Sequence, residues 1–337
     1  MDIRTTGTVM ILLATLAVSP PGFAAEVGGK PEKSEVVVTY AQPSGAFTPI
    51  WVAHEAGLFK KYGLNAKVQL MTPQVSAQAV VSEEADFYTD GPDLINARLH
   101  GGKVKYFGGT IQQLVFQMWA AKEITSVQQL KGKAVAASTP RAALDTATRE
   151  ALKKNGLAPD KDVQILYVQS VPAILSSIIG GKTAAGTLSA PNTLKAKESG
   201  LNLLVDIGKL NIPGLMVAHG TTEKYLKANP NTIYAFLKAM AEAVVLSKKQ
   251  PEVAKKAIAK YVKIDDAPTI DGTYDAFAPY WEMNLAVRAE VIQAQFGYMD
   301  EKEFPQAKSS DPKEFFDNSF VDALDKAGFF KSVGLTK

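Results

Sequence analysis

The chain of 337 residues contains no cysteine. Disulfide bonds, zinc–thiolate sites, iron–sulfur clusters and a thiol nucleophile are therefore excluded. Its three histidines, His54, His100 and His219, lie far apart, so the sequence does not predict a histidine-rich metal centre. Neither charge dominates, with 37 basic and 34 acidic residues, and this balance does not favour nucleic acid or an anionic membrane surface. We expect no metal, no cofactor and no nucleic-acid partner.

Long apolar runs are also lacking, but a short one near the N-terminus is typical of a secretory signal peptide. Residues 9–18 follow Arg4 and precede two prolines and the small residues that lead to Ala24. About ten apolar residues are too few to cross the roughly 30 Å core of a bilayer. We therefore expect export and cleavage after Ala24 (residues 1–24 being the signal peptide), with a short membrane anchor as the alternative.

From residue 36 onward, short segments with the composition of β-strands alternate with helical patterns. Strands are predicted at 36–40, 66–70, 86–88, 104–108, 114–120, 133–137, 163–168, 184–188 and 203–207. Helices are predicted at 51–62, 144–155, 225–249, 251–261, 274–296 and 314–330. The alternation predicts an α/β fold with mostly parallel sheets, followed after residue 222 by a mainly helical part.

Proline marks six of the predicted strand-to-helix turns, three before residue 100 and three after residue 130. They are Pro49, Pro73, Pro92, Pro140, Pro172 and Pro191. Three of them follow a threonine, and threonine suits a helix N-cap whereas proline suits the first helical position. The pattern predicts two similar halves, each with three helix N-termini at the carboxyl ends of strands. Two such edges facing each other would form a cleft that favours anions, although each Thr-Pro pair alone is also explained as a cap.

Three segments match sequence patterns of a known protein family. Residues 53–64 (AHEAGLFKKYGL) are similar to A-x-x-x-G-x-F-x-x-x-G-L, residues 79–87 (AVVSEEADF) to A-L-x-S-G-x-x-D-F, and residues 130–136 (LKGKAVA) to L-K-G-K-x-V-A. In these segments, and over roughly residues 36–246, the chain resembles the periplasmic solute-binding proteins for nitrate, alkanesulfonates, taurine and thiamine-pyrimidine precursors. One departure is Glu83, where the family usually has glycine.

The resemblance implies a two-lobed type II periplasmic binding protein fold with a mainly helical C-terminal extension. Lobe I would comprise residues 34–119 and 215–337, and lobe II residues 120–214, with crossings near 120–123 and 211–215. The resemblance also implies a periplasmic, non-enzymatic protein that delivers its solute to the inner-membrane permease of an ATP-binding-cassette (ABC) importer. Hinged closure of the lobes would shield that solute from water.

The predicted ligand is a small organic anion, with an alkanesulfonate or a taurine-like solute first. Nitrate, an aromatic carboxylate and a pyrimidine precursor are the alternatives. Two other classes stay open. An enzyme on the same fold would need a clustered acid/base pair with strongly shifted pKa values in the cleft. A solute sensor would dock on a membrane receptor instead of a permease.

The candidate ligand contacts lie on the six turns. They are Gln42, Ser44, Phe47, Gln74, Ser76, Gly91, Asp93, Ser138, Thr139, Arg141, Ser170, Ser189 and Asn192. We predict that Arg141 supplies the main positive charge, because a guanidinium holds a sulfonate or carboxylate with two hydrogen bonds; a surface pair with Asp145 is the alternative. Asp93 is interpreted as a partner for a ligand ammonium or as a charge favoured at a helix N-terminus. Four aromatic residues either wall the cleft or pack in the core: Phe47, Trp51, Trp119 and Trp281.

Overall fold

The computed structural model describes residues 27–335, and the predicted signal peptide lies outside these residues. The strands are β1 (Glu35–Tyr40), β2 (Asn65–Leu70), β3 (Tyr88–Asp90), β4 (Val104–Gln113), β5 (Gln117–Ala120), β6 (Ala134–Ala137), β7 (Gln164–Tyr167), β8 (Ala185–Leu188), β9 (Asn202–Asp206) and β10 (Pro213–Thr222). The α-helices are α1 (Thr48–Glu55), α2 (Leu58–Lys61), α3 (Pro73–Val81), α4 (Asp93–Leu99), α5 (Ala143–Lys154), α6 (Val171–Ile179), α7 (Asn192–Glu198), α8 (Glu223–Ala228), α9 (Pro230–Lys249), α10 (Pro251–Val262), α11 (Ala267–Phe277), α12 (Ala289–Tyr298), α13 (Ser319–Lys326) and α14 (Phe329–Val333).

Two small sheets form the centre of the first lobe. Strands β1 and β2 pair in parallel from Glu35 opposite Asn65 onward. Strand β10 lies between β3 and β4 and is antiparallel to both. A parallel bridge between Val38 and Phe87 joins β1 to the residue that precedes β3. This arrangement brings the carboxyl ends of β1, β2 and β3 close together, each followed by a helix.

The second lobe has a five-stranded sheet in the order β7-β6-β8-β5-β9. Strand β6 is parallel to β7 and β8, whereas β5 is antiparallel to β8 and β9. The prediction of mostly parallel sheets is therefore wrong in part. The antiparallel strands β5 and β10 follow the two connections between the lobes. Each runs antiparallel to the neighbouring strands of its sheet.

Two connections join the sheets of the two lobes, and the strand pairing fixes where they lie. Because β5 pairs within the second sheet, the first connection lies at residues 114–116, before the predicted crossing at 120–123. The second connection leads from β9 into β10, a buried ten-residue strand that was not predicted. Its first residues, Pro213 and Gly214, lie within the predicted crossing at 211–215.

Helix boundaries depart from the predictions where proline or glycine interrupts the pattern. The predicted helix at 51–62 divides at Gly57, whose φ is +68°, and the one at 225–249 divides at Pro230. The predicted helix at 274–296 is wrong, because α11 ends at Phe277 and α12 begins only at Ala289. In the irregular stretch between them, Glu282 accepts hydrogen bonds from the side chains of Gln112 and Arg288.

The C-terminal helices pack on the first lobe, as expected for a helical extension. The long helix α9 buries an apolar stripe, including Phe236 and Leu237, against α1. Trp51 of α1 stacks on Tyr261 of α10 with ring centroids 5.0 Å apart and an interplanar angle of 6°. No helix within residues 27–335 is both long and apolar enough to cross a membrane.

Candidate functional site

The proline-bearing turns begin helices much as predicted, although the capping residues differ. Pro49, Pro73 and Pro172 lie in the first turns of α1, α3 and α6. Pro92 and Pro191 directly precede α4 and α7. These positions need no backbone N–H, so proline fits there without loss of a hydrogen bond.

Serine, rather than threonine, supplies the side-chain caps at two of these turns. Ser44 caps the short 3-10 turn before α1, and Ser170 caps α6 by accepting from the Ala173 N–H at 3.3 Å. Thr72 makes no side-chain cap hydrogen bond. The turn at Pro140 also departs from the prediction, because α5 begins three residues later at Ala143.

All six turns contribute to one cavity of about 400 Å³ between the two lobes. Ten of the predicted contact residues line it: Gln42, Ser44, Phe47, Gly91, Asp93, Ser138, Thr139, Ser170, Ser189 and Asn192. The volume lies within the range of small-molecule sites in proteins. The sequence pattern therefore located the walls of the cavity, while the role of these side chains in binding stays a prediction.

Two of the remaining predicted residues lie beside the cavity rather than in its wall. Gln74 donates from Nε2 to Thr139 Oγ1 at 3.3 Å and so joins the two lobes at an exposed position. Ser76 is fully buried in α3 and shares a hydrogen bond with Thr39 of β1, with the two hydroxyl oxygens 2.5 Å apart. Ser76 therefore stabilises the packing of α3 on β1.

Arg141, which is predicted to supply the main positive charge, does not line the cavity. It precedes α5, and its left-handed backbone (φ +66°) directs the side chain toward the C-terminal segment. The guanidinium donates to Glu303 Oε2 at 2.7 Å and lies 5.8 Å from the ring centre of Phe304. The alternative pair with Asp145 is formed only by the backbone, since the Arg141 N–H donates to Asp145 Oδ2 at 2.8 Å.

The charged groups of the cavity wall are carboxyls. Among the described residues, no lysine, arginine or histidine lines the cavity, but Asp90 and Asp93 do. Asp90 is the last residue of β3 and Asp93 the first of α4, with exposed fractions of 6% and 5%. Asp90 Oδ2 has no hydrogen-bond partner. The wall is therefore acidic, contrary to the expectation of a cationic site.

Burial raises the pKa of both carboxyls. The pKa of Asp90 lies well above its usual range because the group is desolvated and the charge of Asp93 is close. Burial raises the pKa of Asp93 to about 6, although a hydrogen bond from Tyr88 and the charge of Arg141 both act to lower it. Both groups therefore hold a proton at a higher pH than an exposed aspartate does.

Two buried tyrosines hold the turn that carries these carboxyls. The Tyr106 hydroxyl donates to the Gly91 carbonyl at 2.7 Å. The Tyr88 hydroxyl lies 3.3 Å from both that carbonyl and Asp93 Oδ2. Burial raises the pKa of both tyrosines, so they stay neutral donors. The hydrogen bonds of the two tyrosines therefore fix the backbone of the turn in the absence of a solute.

The rest of the wall is largely apolar. Phe47 lines the cavity as predicted, whereas Trp51 and Trp281 lie fully buried in the core and Trp119 is outside the wall in β5. Sequence reasoning missed several lining residues: Leu70, Met71, Thr72, Asp90, Phe116, Gln169 and Met216. Asp90 had a signal, because it ends a strand directly before a Gly-Pro turn. Phe116 lies on the first connection between the lobes and Met216 in β10, and neither had a signal.

Comparisons with known proteins agree with this architecture. No curated protein sequence is significantly similar to the chain. The sequence profile of the family described as NMT1/THI5 like matches residues 44–254. A solved structure from Bordetella bronchiseptica RB50 superposes with a TM-score of 0.73 at 19% identity, covering 89% of this chain and 99% of that one.

Two further structures carry functional names. The periplasmic aliphatic sulphonate binding protein SsuA from Escherichia coli has a TM-score of 0.69 at 20% identity, covering 84% of this chain and 92% of that one. The periplasmic nitrate-binding protein NrtA from Synechocystis PCC 6803 has a TM-score of 0.65 at 13% identity, covering 90% and 89%. At these identities the likeness shows the fold, which confirms the predicted fold class. Because the profile covers more than half of its residues, the chain belongs to the NMT1/THI5-like family.

Proposed function

We propose that this protein is the solute-binding component of an ABC-type importer and works in the periplasm. The observation that carries the proposal is the 400 Å³ cavity, to which turns of both lobes contribute. Structures with the same fold include the sulphonate- and nitrate-binding periplasmic proteins named above. The predicted signal peptide is consistent with export, and the partner would be the permease of the importer in the inner membrane.

The geometry supports capture by both lobes at once. The first lobe supplies Gln42 and Ser44, and the second supplies Ser138 and Ser170, so a bound solute would bridge the two. The lobes are joined by two short connections at residues 114–116 and 207–212, which suits a hinge motion. Closure would remove water from the cavity and strengthen each hydrogen bond to the solute.

The charge of the wall bears on the solute class. An alkanesulfonate, a taurine-like solute, nitrate or an aromatic carboxylate would meet no cationic side chain there among the described residues. Such an anion would depend on the N-termini of α1, α3 and α6, each worth about half a charge, and would lie near two carboxyls. The pyrimidine-precursor alternative fits this wall better, because an amino group can donate a hydrogen bond to an aspartate and a ring nitrogen can accept one from a protonated carboxyl.

A thermal-shift screen of the mature protein against sulfonates, nitrate, carboxylates, amines and pyrimidines tests the proposal. A solute at about 100 times its dissociation constant should add about 2.7 kcal/mol of stability. The same solute should reduce the radius of gyration measured by solution X-ray scattering.

A pair of variants provides the control for this screen. Thr139→Phe fills the cavity and should abolish both effects, whereas Thr125→Phe, at an exposed position outside the cavity, should leave them unchanged. Stabilisation that survives Thr139→Phe would place binding elsewhere and contradict the proposal.

An enzyme on the same fold is the second candidate, because Asp90 and Asp93 form the buried acid pair that such an enzyme would need. In that case a bound solute should be converted, and mass spectrometry after incubation should show a product that Asp90→Asn fails to form. Recovery of the solute unchanged would favour transport.

A solute sensor would have the same cavity as a transport protein. Genes for a permease and an ATPase beside the gene for this protein would favour transport over sensing.

A further inference from the structure

We propose that the solute is a small amphipathic cation whose protonated nitrogen, in an amidinium, guanidinium or ammonium group, pairs with Asp90 and Asp93. Its apolar body would contact Phe47 and Phe116, which also line the cavity. This inference names the class of solute for the binding function proposed above and rests on that function.

The first support is the unbalanced charge of the wall. Both carboxyls are more than nine-tenths buried, and within residues 27–335 no basic side chain faces them from the cavity wall. Arg141, whose charge acts to lower the pKa of Asp93 from outside the wall, is paired with Glu303. A buried carboxylate without a counter-charge is costly, so the two groups tend to hold protons in the empty site, and a ligand that brings a positive charge would allow them to ionise.

The second support is the unused acceptor on Asp90. Other buried aspartates of this protein have their oxygens occupied. Asp86 accepts from Lys33 at 2.6 Å and from the Val37 N–H at 2.8 Å, and Asp145 accepts from Arg149 at 3.0 Å. In contrast, Asp90 Oδ2 is buried and accepts no hydrogen bond, and Asp90 is one of the residues that line the cavity. An N–H donor of the solute would satisfy it.

A neutral Asp90 that donates to an anion is the competing arrangement. Against it stands Asp93, because a pKa of about 6 leaves this neighbour mostly ionised at neutral pH, where it would repel an anion. The other groups packed around the pair do not reverse that sign. Tyr88 and Tyr106 are neutral, and His219 of β10 is neutral because burial lowers its pKa to about 3.

Three probes of nearly the same shape separate these arrangements: benzamidine as the cation, benzamide as the neutral isostere and benzoate as the anion. Calorimetry on the mature protein at pH 7.5 should show benzamidine binding at least about tenfold more tightly than benzamide, and no binding of benzoate. Asp90→Asn should remove this preference. Asp271→Asn, a control at a surface ion pair with Lys255, should keep it.

The parent protein gives a test that does not depend on how the variants fold. Benzamidine affinity should rise from pH 5 to pH 8 as the carboxyls ionise, and binding should release protons, measured in buffers of different ionisation enthalpy. Benzoate affinity that is stronger at low pH, or an Asp90→Asn variant that binds benzamidine like the parent, would overturn the cationic assignment.

Failure of the inference and failure of the binding function give different results. If the cations do not bind at millimolar concentration but a sulfonate or nitrate closes the lobes, only the cationic assignment is wrong. If no solute of the thermal-shift screen stabilises or closes the protein, both proposals are overturned.

Discussion

Replacing Asp93 by asparagine should change how the stability of the empty protein depends on pH. The carboxyl has a pKa of about 6 in the folded protein and a usual value of 3.8. The folded state therefore binds more protons than the unfolded state between these two values, so the parent loses stability as pH rises through this window. At 1.36 kcal/mol for each pH unit, the loss amounts to about 3 kcal/mol once Asp93 is fully ionised. Asparagine does not titrate in this range, so it contributes no such dependence of stability on pH.

Urea unfolding of the parent and of Asp93→Asn at intervals from pH 4 to pH 8 measures this effect. The quantity of interest is the difference in unfolding free energy, because groups of opposite sign, such as Glu55 with a pKa lowered to about 2, contribute equally to both proteins. The difference should shift in favour of the variant by about 2.4 kcal/mol between pH 4 and pH 8, because the unfolded carboxyl is already partly ionised at pH 4. The hydrogen bond from Tyr88 survives, since the asparagine oxygen still accepts.

A difference that stays constant across this range would refute the reasoning. It would mean that Asp93 titrates near its usual pKa and that water or a cation already solvates the carboxyl pair. A difference that shifts in the opposite direction would mean that Arg141, which acts to lower this pKa, outweighs burial.

Three further predictions concern other parts of the chain. Arg141→Ala should change solute affinity by less than about twofold in calorimetry and cost at most about 1 kcal/mol of stability, since its ion pair with Glu303 is exposed on both sides; a tenfold loss of affinity would restore Arg141 to the site. Ser170→Ala should cost about 1 kcal/mol in urea unfolding because it removes the cap of α6, and an unchanged midpoint would show that water replaces the cap. Mass spectrometry of the exported protein should give an N-terminus at Ala25, and an intact Met1 would contradict cleavage.

Local patterns predicted the parts of the fold that local physics determines. Strand β1 and helix α5 were located to within one residue, because apolar alternation and helical spacing are visible in a short window. Proline located the turns that became the cavity wall, since its missing N–H and fixed φ restrict it to helix starts. These features need no information about distant residues.

The parts that were missed depend on partners far along the chain. Strand β10 is a strand because β3 and β4 flank it, and its own sequence looks like a turn at Pro213. The irregular stretch before α12 is held by Gln112, 170 residues from its acceptor Glu282. Such contacts form only in the folded protein, so they cannot be predicted from residues that are close together in the sequence.

The charge of the cavity wall also depends on contacts between residues that are far apart in the sequence. Helix N-termini and Arg141 both indicated an anion, and each indication is local. In the folded protein, the charge of Arg141 is neutralised by an ion pair with Glu303, 162 residues away. Folding also buries Asp90 and Asp93 at the cavity. A helix N-terminus supplies about half a positive charge, whereas each carboxyl supplies a full negative charge once it has lost its proton, and burial delays that loss. A bound cation would allow both carboxyls to ionise. Under the proposal of a cationic solute, selection should therefore follow the charge of the nitrogen groups more closely than the presence of a sulfonate.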